Sequence, residues 1–177
     1  MKVAIFMVHI LTPYSLDKNL GIAYNKAMSM IPEGDSACLI DYDVQFLTPD
    51  CGKILHEYSL INKGLMTCYT NRVHPTSPQL LNGLCENSDI KYHIKIAEDQ
   101  RKHLYEVEQL NKNISGMLML ISKDYWNNNK FNENLQFLGV DTDYSHRALP
   151  NVYLMKGLYV FHQYRMKNGI NDKTHLL

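Results

Sequence analysis

Apolar residues fall along this chain in short unbroken runs, separated by stretches in which they recur at helical spacing. Residues 3–8 form a continuous, partly β-branched run, the pattern of a strand buried on both faces of a parallel sheet, and Thr12-Pro13-Tyr14-Ser15 ends it. Residues 17–29 read as a helix, with Leu20, Ala23, Ala27 and Met30 in register and Asp17 or Asn19 as the N-cap. After the turn Pro32-Glu33-Gly34-Asp35, Ala37-Cys38-Leu39-Ile40 is a second buried strand running straight into Asp41-Tyr42-Asp43. Thr48-Pro49 opens a helix over residues 48–60, and residues 64–69 are a third strand.

Residues 71–87 carry Pro75, Pro78 and Gly83 and read as irregular surface. Residues 90–110 read as one long amphipathic helix, with Ile94, Ala97, Leu104 and Val107 on a single stripe. Residues 114–121 are apolar again and contain Gly116, and Ser122 caps a short helix carrying Trp126. Residues 141–148 form a short polar helix or turn that Thr142 could cap, and residues 152–164 one or two final strands. Strands alternating with helices imply an α/β layer architecture, and in such sheets ligands sit at the carboxyl ends of the strands. The 177 residues fit one domain, 1–177, with no repeat and no low-complexity tract.

Composition narrows the function. Lys+Arg 18 balances Asp+Glu 18, so there is no basic excess of the kind that grips nucleic acid or an anionic membrane. No run approaches the roughly 20 apolar residues of a spanning helix, and the N-terminal run lacks a small-residue cleavage site; the expected location is cytoplasmic. Cys38, Cys51, Cys68 and Cys85 show no zinc-ligand spacing, and a domain of this size needs no staples, so free thiols are expected.

Three groups carry candidate chemistry. Asp41 and Asp43, one residue apart in an extended segment, would point to the same side and repel unless a cation lies between them. Mg²⁺ or Mn²⁺ suits such a pair, since each keeps positions open for water or phosphate. Two solvated turn residues would give the same pattern, which is frequent by chance. Asp141 and Asp143, with Arg147 one helical turn on, repeat the motif, although acids at a helix N-terminus also suit the macrodipole. His162, in the aromatic run Tyr159-Val160-Phe161-His162-Gln163-Tyr164, is either a packed core histidine or a third metal ligand.

Taken in order, these features resemble a small GT-A-fold glycosyltransferase of the family-2 type. The matching residues are the opening strand, Asn19-Leu20-Gly21 through Asn25, the strand ending in Asp41-Tyr42-Asp43, Ser115-Gly116-Met117-Leu118-Met119, Lys130-Phe131-Asn132-Glu133, Gly139-Val140-Asp141-Thr142-Asp143 with Arg147, and the stretch around His162. Two departures stand out: Val140 and Lys130 replace the Glu and Gly frequent in the family, and the strand-helix unit that usually precedes the D-x-D strand is cut down.

The resemblance implies a Rossmann-related three-layer sandwich with a mostly parallel central sheet. It implies transfer of a sugar, with inversion, from a nucleotide diphosphate sugar (a UDP- or GDP-sugar) to an acceptor hydroxyl on a glycan, lipid-linked or protein acceptor. Asp41, Asp43 and His162 would hold Mn²⁺ or Mg²⁺, and Asp141 would be the general base. Thr12, Pro13, Tyr14, Asn19, Asn25 and Asp41 would line the nucleotide pocket, while Asp143 and Arg147 would hold their segment in place. The alternatives are a nucleotide-sugar-binding module without transfer and an interaction module whose acids are merely solvated.

Overall fold

Strands that are apolar on both faces must be covered on both, and that requirement organises the molecule. The structure, a computed structural model, describes residues 6–62 and 64–164. Its strands are β1 (Val8–Leu11), β2 (Ser36–Ile40), β3 (Val44–Phe46), β4 (Leu65–Thr70), β5 (Val107–Gln109), β6 (Leu118–Ser122) and β7 (Val152–His162). Its helices are α1 (Leu20–Ser29), α2 (Cys51–Ile61), α3 (Ile90–Gln100), α4 (Lys123–Asn128) and α5 (Val140–Ala148).

The strands form one seven-stranded mixed sheet in the order β1-β2-β6-β4-β7-β3, with β5 also on β7. Strands β1, β2, β4 and β7 run the same way, and β6 lies reversed between β2 and β4. The carboxyl ends of four strands therefore open on one edge, and the amino end of β6 joins them there. Alternation along the central strands splits the core in two. Ala37, Leu39, Met119 and Ile121 face α1, α4 and α5, whereas Cys38, Leu118 and Leu120 face α2. The result is the α/β layer architecture expected from the pattern, built on a mixed sheet covered on both faces, and all four cysteines are free.

Most elements fall where the apolar pattern puts them. Asn19 is the cap of α1, its side chain accepting the Ile22 N–H at 3.0 Å, and Ser122 Oγ caps α4 by accepting from Tyr125 N–H at 3.1 Å. The one or two strands expected over 152–164 are a single strand, Val152–His162. Four readings need correction. The first strand starts only at Val8, the last residue of the 3–8 run, and continues to Leu11: Val3, Ala4 and Ile5 lie outside the described residues, Phe6 and Met7 are exposed, and β1 is a half-buried edge strand. Asp35 sets its start, taking the Met7 N–H at 3.0 Å and His9 Nε2 at 2.8 Å. Thr142 does not cap α5; Gly139 does, at φ +83°. Part of 71–87 is not surface, for Asn71, Arg72, Val73 and Gln79 are buried.

The fourth correction is the long helix. It stops at Gln100, passes through the tight turn Arg101–His103, and the chain then doubles back as the exposed edge strand β5. Tertiary contacts override the periodicity here. Arg101 is held by both Asp50 oxygens at 2.6 and 2.7 Å, Tyr105 adopts φ +70°, and Tyr58 Oη accepts N–H bonds from Tyr105 at 3.1 Å and Gly157 at 3.0 Å. Gly157 lies in the irregular stretch of β7 where its pairing with β4 shifts register. A Cβ there would stand 2.5 Å from Leu104 Cα, so only glycine admits the returning chain. Gly157→Ala is expected to cost about 1–3 kcal/mol in urea unfolding and to speed amide exchange at Tyr105 and Glu106 before the central strands. A variant as stable as its parent would contradict this account of the corner.

Candidate functional site

Four separate segments reach the common edge: the 12–19 loop after β1, Asp41-Tyr42-Asp43 after β2, Asn71 and Arg72 after β4, and His162 at the end of β7. The parallel strands alone bring them together, which is why residues far apart in sequence meet. Asp41 donates its backbone N–H to Met117 O at 3.0 Å, and Val44 N–H closes a turn on Asp41 O at 3.2 Å. The D-x-D residues thus form a turn, not the extended segment expected. Their carboxylates converge because the turn folds Asp43 back, and one ligand atom each from Asp41, Asp43 and His162 lies within 4.8 Å of the other two.

His162 is oriented from three sides. Its backbone N–H donates to Asn71 Oδ1 at 2.8 Å, its Nδ1 meets Arg72 O at 2.8 Å, and its Nε2 faces Asp43 Oδ1 at 3.1 Å. A carbonyl can only accept, so Nδ1 carries the hydrogen and Nε2 is the nitrogen turned toward the acids. This is the arrangement in which an imidazole serves as a ligand, its outer nitrogen anchored by a carbonyl. The donor set of two carboxylates and one imidazole suits Mn²⁺ or Mg²⁺ better than a thiophilic metal. Burial pushes the Asp41 carboxyl up to about 6; His162 pulls it back, while Asp43 and Asp141 push it further up.

Asp141, at the start of α5, belongs to the same neighbourhood, since its charge acts on Asp41 and both acids act on the buried Tyr24 phenol. Its Oδ2 accepts the Gly116 N–H at 2.7 Å and its Oδ1 the Thr142 N–H at 2.8 Å. A Cβ on Gly116 would stand 2.8 Å from Asp141 Cβ, so the carboxylate sits where it does because residue 116 has no side chain. Asp143 instead pairs with Arg147 at 2.9 Å, and Arg147 also donates to Lys130 O at 3.0 Å. A cavity of about 400 Å³ opens beside Asp141.

Thr12, Pro13 and Tyr14 lie in the loop leaving β1 on this edge, and Tyr14 is exposed. Asn19 and Asn25 are engaged elsewhere. Asn19 Nδ2 donates to Glu133 O at 2.9 Å. Asn25 Nδ2 donates to Phe131 O at 2.9 Å and Glu133 Oε1 at 2.8 Å, while its Oδ1 accepts from Trp126 Nε1 and Phe131 N at 3.0 Å each. These two asparagines bind α1 to the Lys130–Glu133 stretch.

Sequence reasoning missed Tyr24, Asn71, Arg72 and Gln79. Gln79 is fully buried; its Oε1 accepts the Ser115 N–H at 2.7 Å and its Nε2 donates to Ser115 O at 3.0 Å and Thr67 Oγ1 at 2.7 Å. It fixes the residue preceding Gly116. No local signal marks it, because nothing in a proline-bearing loop says that its one glutamine turns inward. No family model, no curated protein and no solved structure matches the chain.

The raised Asp41 carboxyl has a consequence for stability. The unfolded carboxyl titrates at about 3.9 and the folded one at about 6. Between those values the folded chain keeps a proton that the unfolded chain has lost, so stability falls as pH rises through the window. Asp41→Asn removes the penalty. The metal-free variant is expected to be more stable than its parent by about 3 kcal/mol at pH 7 and by less than about 1 kcal/mol at pH 4, read by urea unfolding at each pH. A loss of stability at pH 7 would show that the carboxylate is favourably held.

Proposed function

We propose that the protein is a metal-dependent inverting glycosyltransferase, moving a sugar from a nucleotide diphosphate sugar to an acceptor hydroxyl within a GT-A-like domain. One observation carries the reading: Asp41, Asp43 and His162 converge on the strand edge that also receives Asp141. The resemblance of the ordered motifs adds the reaction class. A solvated acidic patch would need no anchored imidazole and no glycine-enforced seat for a further carboxylate.

A bound Mn²⁺ or Mg²⁺ would supply charge to offset the departing diphosphate. Asp41, Asp43 and His162 would hold it, with Nε2 the histidine donor. Thr12, Pro13 and Tyr14 border the same edge and would flank the nucleotide; Asn19 and Asn25 serve that role only by steadying α1. Asp141 would take the proton of the acceptor hydroxyl as that oxygen bonds to the anomeric carbon. The bond from that carbon to the diphosphate breaks with its electron pair going to the diphosphate oxygen, and attack from the opposite face inverts the centre. The Gly116 and Thr142 N–H groups hold both carboxylate oxygens in place for this step. Asp143, paired with Arg147, secures the helix start. A location in the cytoplasm is consistent with the reading, and no helix among the described residues is long and apolar enough to cross a membrane.

Titration calorimetry with UDP and GDP is expected to show binding that requires Mn²⁺ and weakens at least a hundredfold in Asp43→Ala. Absence of binding by either nucleotide, with metal present, overturns the proposal. Asp141→Asn should keep that binding while transfer falls by about 10²–10⁴. A parent that binds donor sugars but transfers to no acceptor would instead be the binding module.

A further inference from the structure

Residues 115–117 carry a backbone connection to each side of the site. Met117 O accepts the Asp41 N–H at 3.0 Å, and Gly116 N–H donates to Asp141 Oδ2 at 2.7 Å. Three consecutive residues thus reach from an acid assigned to the metal to the acid assigned to the acceptor hydroxyl. Asp141 opposes the ionisation of Asp41, so the two carboxylates are driven apart when both are charged. Ser115 and Gly116 lie ahead of β6, whose ladder with β2 begins at Leu118, and a glycine adds no stiffness of its own. Their spacing needs a support outside the sheet.

Gln79 is that support. A side-chain amide has two hydrogens to donate and an oxygen that accepts twice, and here every one is used within the protein. Oε1 accepts from Ser115 N–H at 2.7 Å and from Ser77 Oγ at 2.9 Å, while Nε2 donates to Ser115 O at 3.0 Å and to Thr67 Oγ1 at 2.7 Å. The residue's own backbone is pinned as well, its N–H on Ser77 Oγ at 3.2 Å and its carbonyl on Thr70 N–H at 2.9 Å. Gripping both backbone groups of Ser115 takes a donor and an acceptor on one side chain; glutamate lacks the donor and methionine lacks both. Gln79 is fully buried, behind the Ser77 and Ser115 that line the cavity beside Asp141. We propose that Gln79 is a positioning residue for sugar transfer: through residues 115–117 it fixes where Asp141 stands relative to Asp41, and so governs the rate of the chemical step and not donor affinity. The effect on rate rests on the transferase reading; the clamp on residues 115–117 does not. A reacting group misplaced by about 1 Å costs on the order of a hundredfold in rate, whereas a nucleotide held at the metal is indifferent to the base.

Gln79→Met keeps the volume and removes the side chain's hydrogen bonds. Leu55→Ala, in the core under α2, is the control for lost stability alone. In EDTA, heteronuclear NMR is expected to show the Gly116 amide proton moving upfield in Gln79→Met, as its bond to Asp141 lengthens, and staying in place in Leu55→Ala. With Mn²⁺, water stands in for the acceptor: its oxygen bonds to the anomeric carbon, its proton passes to Asp141, and the diphosphate leaves with the bonding electron pair. Nucleotide release from UDP-glucose, UDP-galactose, UDP-N-acetylglucosamine and GDP-mannose is followed well below the Tm of each variant. Gln79→Met is expected to lower kcat by about ten- to a hundredfold while donor KM and Mn²⁺–UDP affinity stay within about twofold; Leu55→Ala keeps kcat. If Gln79→Met does not fold, Ser77→Ala, which removes a single bond to the amide oxygen, should move kcat and the Gly116 amide in the same directions by less. An unmoved Gly116 amide overturns the clamp. An unchanged kcat, or kcat and nucleotide affinity falling together, overturns the positioning role. A parent that binds neither UDP nor GDP, or that releases nucleotide from none of the four donors, removes the transferase reading and the positioning role with it, and the Gly116 shift then decides the clamp separately.

Discussion

Like charges drawn into a partly dry crevice set the terms for this molecule. Asp41, Asp43 and Asp141 all reach the carboxyl edge of the sheet, and two of them raise the energy of ionising the third. Desolvation adds to that cost. His162 works against it, and it does so from a position fixed by three hydrogen bonds rather than from a mobile surface site. The rest of the fold can be understood as the scaffolding that keeps these groups close despite their repulsion. The parallel strands β2, β4 and β7 deliver Asp41, Asn71 and His162 to one level. The reversed β6 brings Gly116 up from the other direction to meet α5.

Positioning is layered. Gln79, buried under its loop, grips both backbone groups of Ser115, and the next residue's N–H holds Asp141. Thr67 ties that glutamine to β4 while donating to Leu118 O at 2.8 Å, so the irregular segment is locked to two adjacent strands at once. A site built this way moves little, because each supporting group is buried and already hydrogen-bonded. The same layering separates roles among the acids. Asp143 is engaged with Arg147, which also donates to the Lys130 carbonyl, whereas Asp141, two residues away, among the described residues accepts only from backbone N–H groups and lines the cavity.

How far the sequence revealed this follows from which forces act locally. The β2 strand, the Asn19 and Ser122 caps and the two acidic pairs are written in short-range pattern, and each stands where the pattern puts it. The α3 end is not: Leu104 and Val107 keep helical spacing, yet a tyrosine 47 residues upstream of Tyr105 in the chain takes its N–H, and a glycine in the last strand makes room for the turn. The first strand was misplaced for a related reason, since its start is set by Asp35 and not by the apolar run itself. At the site, the identities of the acids and of His162 were legible and their convergence was not. Period-two alternation was the wrong reason for Asp41 and Asp43 to meet, because a turn does it. Asn71 and Gln79 act only through contacts made across the sheet, which no window of sequence contains.

Whether the acidic edge is structural or chemical turns on Asp41. The contact between Asp43 and His162 at 3.1 Å, with the imidazole anchored at Arg72 O, would be self-sufficient as a structural device. Adding a further carboxylate to it, desolvated and beside two other acids, lowers stability at neutral pH. Asp141 then compounds the repulsion, although a glycine is needed to seat it there. Groups that are unfavourable alone persist in a folded protein where a function uses them, and under the proposed function a cation would compensate these carboxylates. Structural ion pairs lose nothing when their partners are reduced to the minimum. Here the number of acids exceeds that minimum, and the surplus stands where a sheet of this kind binds its ligands.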